Sequence, residues 1–279
     1  MTAATYENAQ AFSDAVLPHL LAHEAENNLM ISIALRLADG TGKWGEEPPL
    51  LCAIEQGGRI VAAAVQTPPY PLQVTRMDDA ALDTLIDHLR ACGRSLPGVF
   101  GPQEPATAFA DRWIAGTSLL IEHDKGLGAY QLRQVILPAN VGGHTELATD
   151  ADADLLIAWM RDFHTFIGER RENAEATVSK GIAERRFWLW NDPHPVSAAL
   201  ASGPTPHGMR IGGVYTPPEC RGRGYASANV AALSQTLLDS GREFCYLFTD
   251  LANPTSNSIY RKIGYEQVCD FASLSFRTE

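Results

Sequence analysis

The sequence predicts a mixed α/β fold built from two similar halves. Short apolar runs that are typical of strands alternate along the 279 residues with longer runs whose apolar positions recur at helical spacing. Both halves pass through these patterns in nearly the same order, which indicates an internal repeat. With 45% hydrophobic and 20% charged residues, the chain is long enough for one large or two ordinary folded domains.

The first half begins with two predicted helices between residues 6 and 38, separated by Asn27 and Asn28. A hairpin follows, because "LLCAIEQ" and "RIVAAAVQT" flank Gly57 and Gly58. The half continues in the order strand, helix, strand, helix and strand, with the segments "PLQVTRM", "DDAALDTLIDHLRACG", "GVFGP", "ATAFADRWIAG" and "GAYQLRQVIL".

The segment "PANVGG", residues 138–143, is the predicted linker, because Pro and Gly interrupt two well-patterned stretches there. It predicts domains at residues 1–138 and 143–279. Helices of the second half are expected at about 151–165 and 172–184. The other predicted elements are strands at "HTELAT", "FWLW", "VSAALAS", "MRIGGVYT" and "FCYLFTD", helices at Tyr225 and "SNSIYRKIG", and closing strands near "YEQVCD" and "SLSFRT".

A duplication is further suggested by three identities at a shift of 149 positions, where Pro105, Arg112 and Ile114 lie opposite Pro254, Arg261 and Ile263. The halves differ in front of one helix, which the first half enters through "DDA" and the second through "PPECRGRGYA". The glycine-rich entrance is therefore expected in the second half alone.

The segment "PPECRGRGYA" leads into a helix whose first residue is Tyr225. The first backbone N–H groups of a helix have no partner within it and carry partial positive charge, so they attract anions. Gly222 and Gly224 would let the backbone approach a phosphate without an intervening Cβ, while Arg221 and Arg223 would add charge. The pattern indicates a pyrophosphate site, and an ordinary turn with solvated arginines is the alternative.

Two motifs give the second half a specific resemblance. "RGRGYA" resembles the RxxGxA (or QxxGxG) acyl-CoA signature of the GNAT acetyltransferase superfamily. "NPTSNSIYRKIGY" is similar to that superfamily's second motif, which runs Asn, a short helix, Tyr, a basic residue, then Gly and an aromatic residue. The two motifs occur in family order, and the resemblance covers about residues 143–279.

The resemblance implies the GNAT acyl-CoA N-acyltransferase fold, as two GNAT-like domains of which the N-terminal one is degenerate. The implied sheet is mixed and strongly twisted, and two of its strands splay apart to admit the pantetheine arm of acetyl-CoA. The backbone of Val214, Tyr215 and Thr216 and the side chain of Asn253 would bind that arm, although Asn before Pro is also a good turn residue. The implied phosphate-binding residues are Arg221, Gly222, Arg223, Gly224, Tyr225 and Ala226.

The implied chemistry is direct transfer of an acetyl group from acetyl-CoA to a primary amine of a small molecule or peptide. Tyr260 stands at the family's general-acid position, with a packing tyrosine as the alternative. Asp250 is the first choice of base, and Glu219, His164 and Glu169 are also open. Asp111 lies opposite Tyr260 in the first half, which is therefore expected to lack the general acid. The first half is also expected to lack the phosphate-binding segment, residues 221–226, which we call the phosphate cradle.

Net charge, missing motifs and the cysteine and histidine content argue against several classes of function. The formal charge of −11, from 22 Lys+Arg and 33 Asp+Glu, opposes binding to nucleic acid, and no GxxxxGK[ST] or GxGxxG string supports a P-loop or Rossmann site. Five cysteines without a CxxC pair, and no apolar run of transmembrane length, favour a cytoplasmic protein without a membrane partner. His19 and His23 lack a third ligand, so no metal is expected.

Two further alternatives stay open. The chain could be a non-catalytic acyl-CoA-binding module or sensor, which would keep the cradle without needing Tyr260. Within the enzyme class, the acceptor could be a thiol-linked amine. The aromatic residues Phe187, Trp188 and Trp190 could line an acceptor pocket, but core packing is the favoured interpretation.

Overall fold

The computed structural model describes residues 1–42, 45–167 and 174–278. The helices are α1 (Ala9–Leu21), α2 (Asn28–Ala38), α3 (Asp79–Ala91), α4 (Gln103–Ile114), α5 (Ala153–Ile167), α6 (Ala174–Ala183), α7 (Tyr225–Asp239) and α8 (Pro254–Lys262). The strands are β1 (Thr2–Thr5), β2 (Leu50–Gln56), β3 (Arg59–Gln66), β4 (Leu72–Val74), β5 (Gly98–Pro102), β6 (Leu119–Leu132), β7 (His144–Leu147), β8 (Phe187–Asn191), β9 (Pro195–Ser202), β10 (Gly208–Tyr215), β11 (Phe244–Asp250) and β12 (Glu266–Thr278). None of the described helices combines the length and apolar character needed to cross a bilayer.

The chain forms the mixed α/β fold that the sequence predicts, in two compact units. The first unit contains Met1–Ala129, Thr249–Ala252 and the residues from Val268 onward, and the second contains Tyr130–Phe248 and Asn253–Gln267. This division differs from the predicted domains 1–138 and 143–279 at the boundary and at the C-terminal strand.

In the first unit, the strands lie in the order β1-β2-β3-β4-β5-β12. β4 and β5 are parallel, and the other neighbours are antiparallel. Side chains of β2 alternate between two core clusters, since Leu50 and Ile54 pack with α3 and α4 while Leu51 and Ala53 pack with α1 and α2. The sheet is therefore covered by helices on both faces, as strands that are apolar on both sides require.

In the second unit, the order is β11-β10-β9-β8-β7, with β10 and β11 parallel and the others antiparallel. The end of β6 joins this unit, because Tyr130 and Leu132 are buried with residues of α7, β9 and β11. Phe187, Trp188 and Trp190 pack into three different core clusters, which supports the core interpretation of these aromatic residues.

Both halves run strand, two helices, three strands, helix, strand, helix and strand. Three expectations about elements were wrong in detail. β1 was not predicted, β6 begins at Leu119 rather than near Gly128, and the two closing strands are one continuous strand, β12. The predicted start of the helix at 172–184 lies outside the described residues, and α6 begins at Ala174.

Candidate functional site

Strands β10 and β11 part before they end. Their parallel ladder holds three residue pairs, which begin at Gly208 and end at Arg210 of β10. In the described part of the chain, β10 and β11 form no further pair with each other. β10 continues to Tyr215, and its pairing with β9 becomes irregular on the way. Gly213, in this irregular stretch, has a φ of 56°, a left-handed conformation that favours glycine. An opening results at the C-terminal ends of two parallel strands, a common place for ligands in α/β sheets.

The residues predicted to meet the pantetheine arm, Val214, Tyr215 and Thr216, follow directly at this opening. The Ser197 hydroxyl donates to the carbonyl of Tyr215 at 3.1 Å, and Nε of Arg221 donates to the carbonyl of Thr216 at 2.9 Å. These contacts fix the segment, and each leaves the carbonyl a second lone pair for a ligand. Their role toward a ligand stays a prediction.

The side chain of Tyr215 connects the opening to helix α5. Its ring packs 5.9 Å from the ring of Trp159, and its hydroxyl donates to Oδ2 of Asp162 at 3.2 Å. Burial, and next the Asp162 carboxylate, raise the pKa of Tyr215. Sequence reasoning missed Asp162, because an exposed acidic residue within a helix has no motif to mark it.

The turn before α7 has a left-handed glycine backbone at the predicted anion site. Gly222 and Gly224 have φ values of 77° and 84°, and Gly224 is the N-cap residue of α7. No side chain caps this helix, and its first turn contains no acidic residue. The N–H groups at Tyr225 and Ala226 therefore have no partner inside the helix, and their partial positive charge is not opposed there.

The two arginines of the turn are exposed, and each is near another polar group. The bond from Nε of Arg221 to Thr216 commits one of its five N–H donors. Tyr225 donates a hydrogen bond to Oδ2 of Asp192 at 2.6 Å. This bond raises the pKa of Tyr225, and Arg223 opposes the shift.

Asn253 begins helix α8 as its N-cap residue. Its side-chain oxygen accepts a hydrogen bond from the N–H of Ser256 at 3.1 Å, and Pro254 occupies the first helical position. The turn role that the sequence also allowed is therefore present. Binding of an acyl-CoA arm by Asn253 stays a prediction.

Tyr260 lies on α8 and is half-buried, with its ring edge-on to Tyr265 at 5.9 Å between centroids. Burial raises the pKa of Tyr260 to about 12. The phenol therefore stays protonated at neutral pH, as a proton donor requires. The packing role is therefore present, and the acid role stays a prediction.

The candidate bases are placed very differently. Asp250, in the first unit, accepts a hydrogen bond from the N–H of Ala252 at 2.8 Å and lies 3.4 Å from Nζ of Lys125. His164 is buried on α5, and its Nδ1 has no hydrogen-bond partner among the described residues. Glu219 is exposed in the turn after β10, whereas Glu169 lies outside the described residues.

In the first unit, the N-terminus of α3 and the ends of β4 and β5 correspond to this site, but they offer no place for an anion. Asp78 caps α3 by accepting a hydrogen bond from the N–H of Ala81 at 2.8 Å, and Asp79 follows in the first turn. A Cβ at Gly101 of β5 would lie 2.7 Å from the carbonyl oxygen of Val74, so β4 and β5 remain in close contact at their ends. This geometry supports the prediction that only the second half has a cradle.

Comparison with protein families gives one match, in the second half. The family model described as FR47-like protein matches residues 195–272, which include the opening, the glycine turn and Tyr260. No curated protein matches the chain. Among the described residues, no three His, Cys, Asp or Glu side chains group in a way that could hold a metal ion.

Solved structures match over nearly the whole chain. An acetyltransferase from the GNAT family of Colwellia psychrerythraea is 10% identical with a TM-score of 0.61, covering 99% of this chain and 100% of that one. A GCN5-related N-acetyltransferase from Sphaerobacter thermophilus is 15% identical with a TM-score of 0.63, covering 99% and 95%. A tandem GNAT protein from the clavulanic acid biosynthesis pathway is 12% identical with a TM-score of 0.54, covering 99% and 98%. At these identities the likeness establishes the fold.

Proposed function

Because the chain has the fold of the GNAT acetyltransferases, with an FR47-like region at residues 195–272, we propose that it transfers an acetyl group from acetyl-CoA to a primary amine. The observation that carries the proposal is the uncapped N-terminus of α7, led by Gly224, which follows directly from the opening at the end of β10. An anion subsite and a slot for an extended arm thus occur in succession along one stretch of chain.

The residues of the turn fit the phosphates of acetyl-CoA. The Cβ position of Gly222 has no atom within 4 Å, so a ligand can approach the backbone there. Residues 221–226 would hold the pyrophosphate, and the backbone of residues 214–216, with Asn253, would hold the pantetheine arm. Acetyl-CoA supplies the acetyl group as an activated thioester.

Tyr260 acts in this proposal as the general acid. An amine attacks the thioester in its neutral form, and the carbon–sulfur bond breaks to release a thiolate that benefits from a proton. Oη of Tyr260 gives that proton, which its pKa of about 12 keeps in place at neutral pH. From the sequence, Asp250 remains the first choice for the base that takes the proton of the amine. Asp250→Asn would test this role by lowering kcat without weakening the binding of CoA.

An acceptor screen that follows the release of the CoA thiol tests the proposed activity. Calorimetry with CoA is run in parallel on the same full-length protein. Turnover of at least one primary amine, together with CoA binding, supports the enzyme. CoA binding without turnover over a broad amine panel would favour the acyl-CoA sensor, and the absence of both would refute the cofactor assignment.

Replacing Tyr260 by Phe is the sharper test of mechanism. We expect kcat to fall by at least about 100-fold, because a positioned acid contributes about 10²–10⁴-fold, while the Kd of CoA changes little. Tyr265→Phe is the matched control, because it removes the hydroxyl of the neighbouring tyrosine. That hydroxyl lies 3.0 Å from Oγ of Ser234. Unchanged turnover in Tyr260→Phe would exclude the acid role.

A further inference from the structure

We infer that the segment Val141–Gly143, which the sequence presents as a plain linker, positions the anion-binding turn at the start of α7. The inference rests on the proposed acyl-CoA function and concerns how the site is kept in shape. Its evidence is a set of contacts within the second unit that join this segment, the end of β8 and the first residues of α7.

The first contact is between Val141 and the N-cap residue of α7. A Cβ at Gly224 would lie 3.0 Å from Cγ2 of Val141, so this side chain lies directly against the glycine backbone. Val141 also packs on an apolar cluster that contains Trp190 and Tyr225. The valine therefore limits how far the backbone at Gly224 can move toward the segment.

The second contact fixes the segment against β8. Nε1 of Trp190 donates to the carbonyl of Gly142 at 2.8 Å. Gly143 has a φ of 99°, and a Cβ there would lie 2.3 Å from the carbonyl oxygen of Asn191 and 2.7 Å from Nε1 of Trp190. Gly143, one of the glycines that suggested a simple interruption, is therefore required for the close approach of two backbones.

The third contact runs through Asp192. Its Oδ2 accepts the hydrogen bond from Tyr225 at 2.6 Å and lies 3.3 Å from the Cβ position of Gly142. We call Val141, Gly142, Gly143, Trp190 and Asp192 the brace. The brace holds Tyr225 and Gly224 from one side.

Beyond Arg221, whose Nε donates to the carbonyl of Thr216, the turn has little support from its own residues. All residues from Arg221 to Gly224 are exposed, and Gly222 touches nothing at its Cβ position. Backbone N–H groups bind an anion well only if they already point toward it, since ordering them on binding costs entropy. Trp190, Asp192 and Val141 are thus positioning residues that contribute to affinity without touching the ligand.

Trp190→Phe and Val141→Ala in the full-length protein test the brace, with CoA titrated by calorimetry. Each substitution removes one brace contact, so we expect the Kd of CoA to rise about 3- to 10-fold, the range expected for loss of a single buried hydrogen bond or packing contact. Val141→Thr keeps the branched shape and should retain the wild-type Kd. Trp188→Phe is the control on the same strand, outside the brace, and should lower thermal stability without changing the Kd.

The outcomes separate the brace from the proposed function. Brace variants that bind CoA within twofold of the wild type would overturn the inference, and so would an equal rise in Kd for Trp188→Phe, which would indicate general loosening. If the wild type itself does not bind CoA, the proposed function fails, and the inference falls with it. A raised Kd in Trp190→Phe and Val141→Ala, with Val141→Thr and Trp188→Phe unchanged, supports the brace.

Discussion

Among single residues, Tyr260 shows how packing shifts the pKa of a side chain. Its ring is held edge-on to Tyr265, and burial raises its pKa to about 12, against an ordinary value of about 10. The same partial burial that packs Tyr260 against the core raises this pKa, and the phenol is protonated at neutral pH. A motif can identify the position of such a tyrosine, but the shift depends on residues that surround it in space.

The raised pKa of Tyr260 predicts a specific alkaline instability. Because the phenol ionises at lower pH in the unfolded chain, its contribution to stability is complete below about pH 10 and is lost as pH rises toward 12. At pH 11 the loss is roughly 1 kcal/mol in the free energy of unfolding, by the standard linkage relation. Urea unfolding of wild type and Tyr260→Phe at pH 8 and pH 11 measures it. An equal drop in both proteins would contradict the prediction.

At the scale of elements, helices α3 and α7 occupy corresponding places in the two halves, but only α3 has a side-chain cap at its N-terminus. Asp78 caps α3 and Asp79 adds negative charge, whereas α7 begins at Gly224 without a side-chain cap. An aspartate cap satisfies the free N–H groups and repels anions, while an uncapped terminus leaves them for a ligand. Sequence comparison of "DDA" with "PPECRGRGYA" anticipated this difference.

We expect replacement by alanine to have different effects on stability and CoA binding at the two glycines of the turn, Gly222 and Gly224. Ala at position 222 meets only the left-handed backbone, so Gly222→Ala should cost about 1–2 kcal/mol in stability. Gly224→Ala adds the contact with Val141 at 3.0 Å and should weaken the binding of CoA more than Gly222→Ala, which also adds a Cβ to the proposed phosphate site. Denaturant unfolding and CoA calorimetry on both variants provide the comparison. Tighter CoA binding by Gly224→Ala than by Gly222→Ala would contradict it.

At the scale of the whole molecule, chain order and structural units do not coincide. Tyr130 and Leu132 of β6 belong to the core of the second unit, although β6 begins in the first. The far end of β12 pairs with β5 of the first unit, from Phe271 to Ser275. The first unit is therefore complete only when the C-terminal strand is present.

This arrangement predicts how fragments behave. A fragment of residues 143–279 lacks two buried side chains, Tyr130 and Leu132, and should be less stable than a fragment of residues 130–279. Removing a large buried side chain costs about 2–5 kcal/mol, so the difference should exceed roughly 4 kcal/mol. Thermal unfolding followed by circular dichroism compares them. Equal melting temperatures would show that β6 does not contribute to this core.

The sequence by itself determined most elements, the repeat and the glycine turn of the second half. These features depend on local periodicity and on backbone conformations that only glycine adopts readily, and both are written in neighbouring residues. The position of Asp162 beside Tyr215, the shifted boundary between the units and the single strand β12 were decided by the tertiary structure. The brace was also decided there, since Val141 meets Gly224 only after the 82 intervening residues have folded. Contacts of this kind depend on packing between distant segments, for which a single sequence carries no local signal.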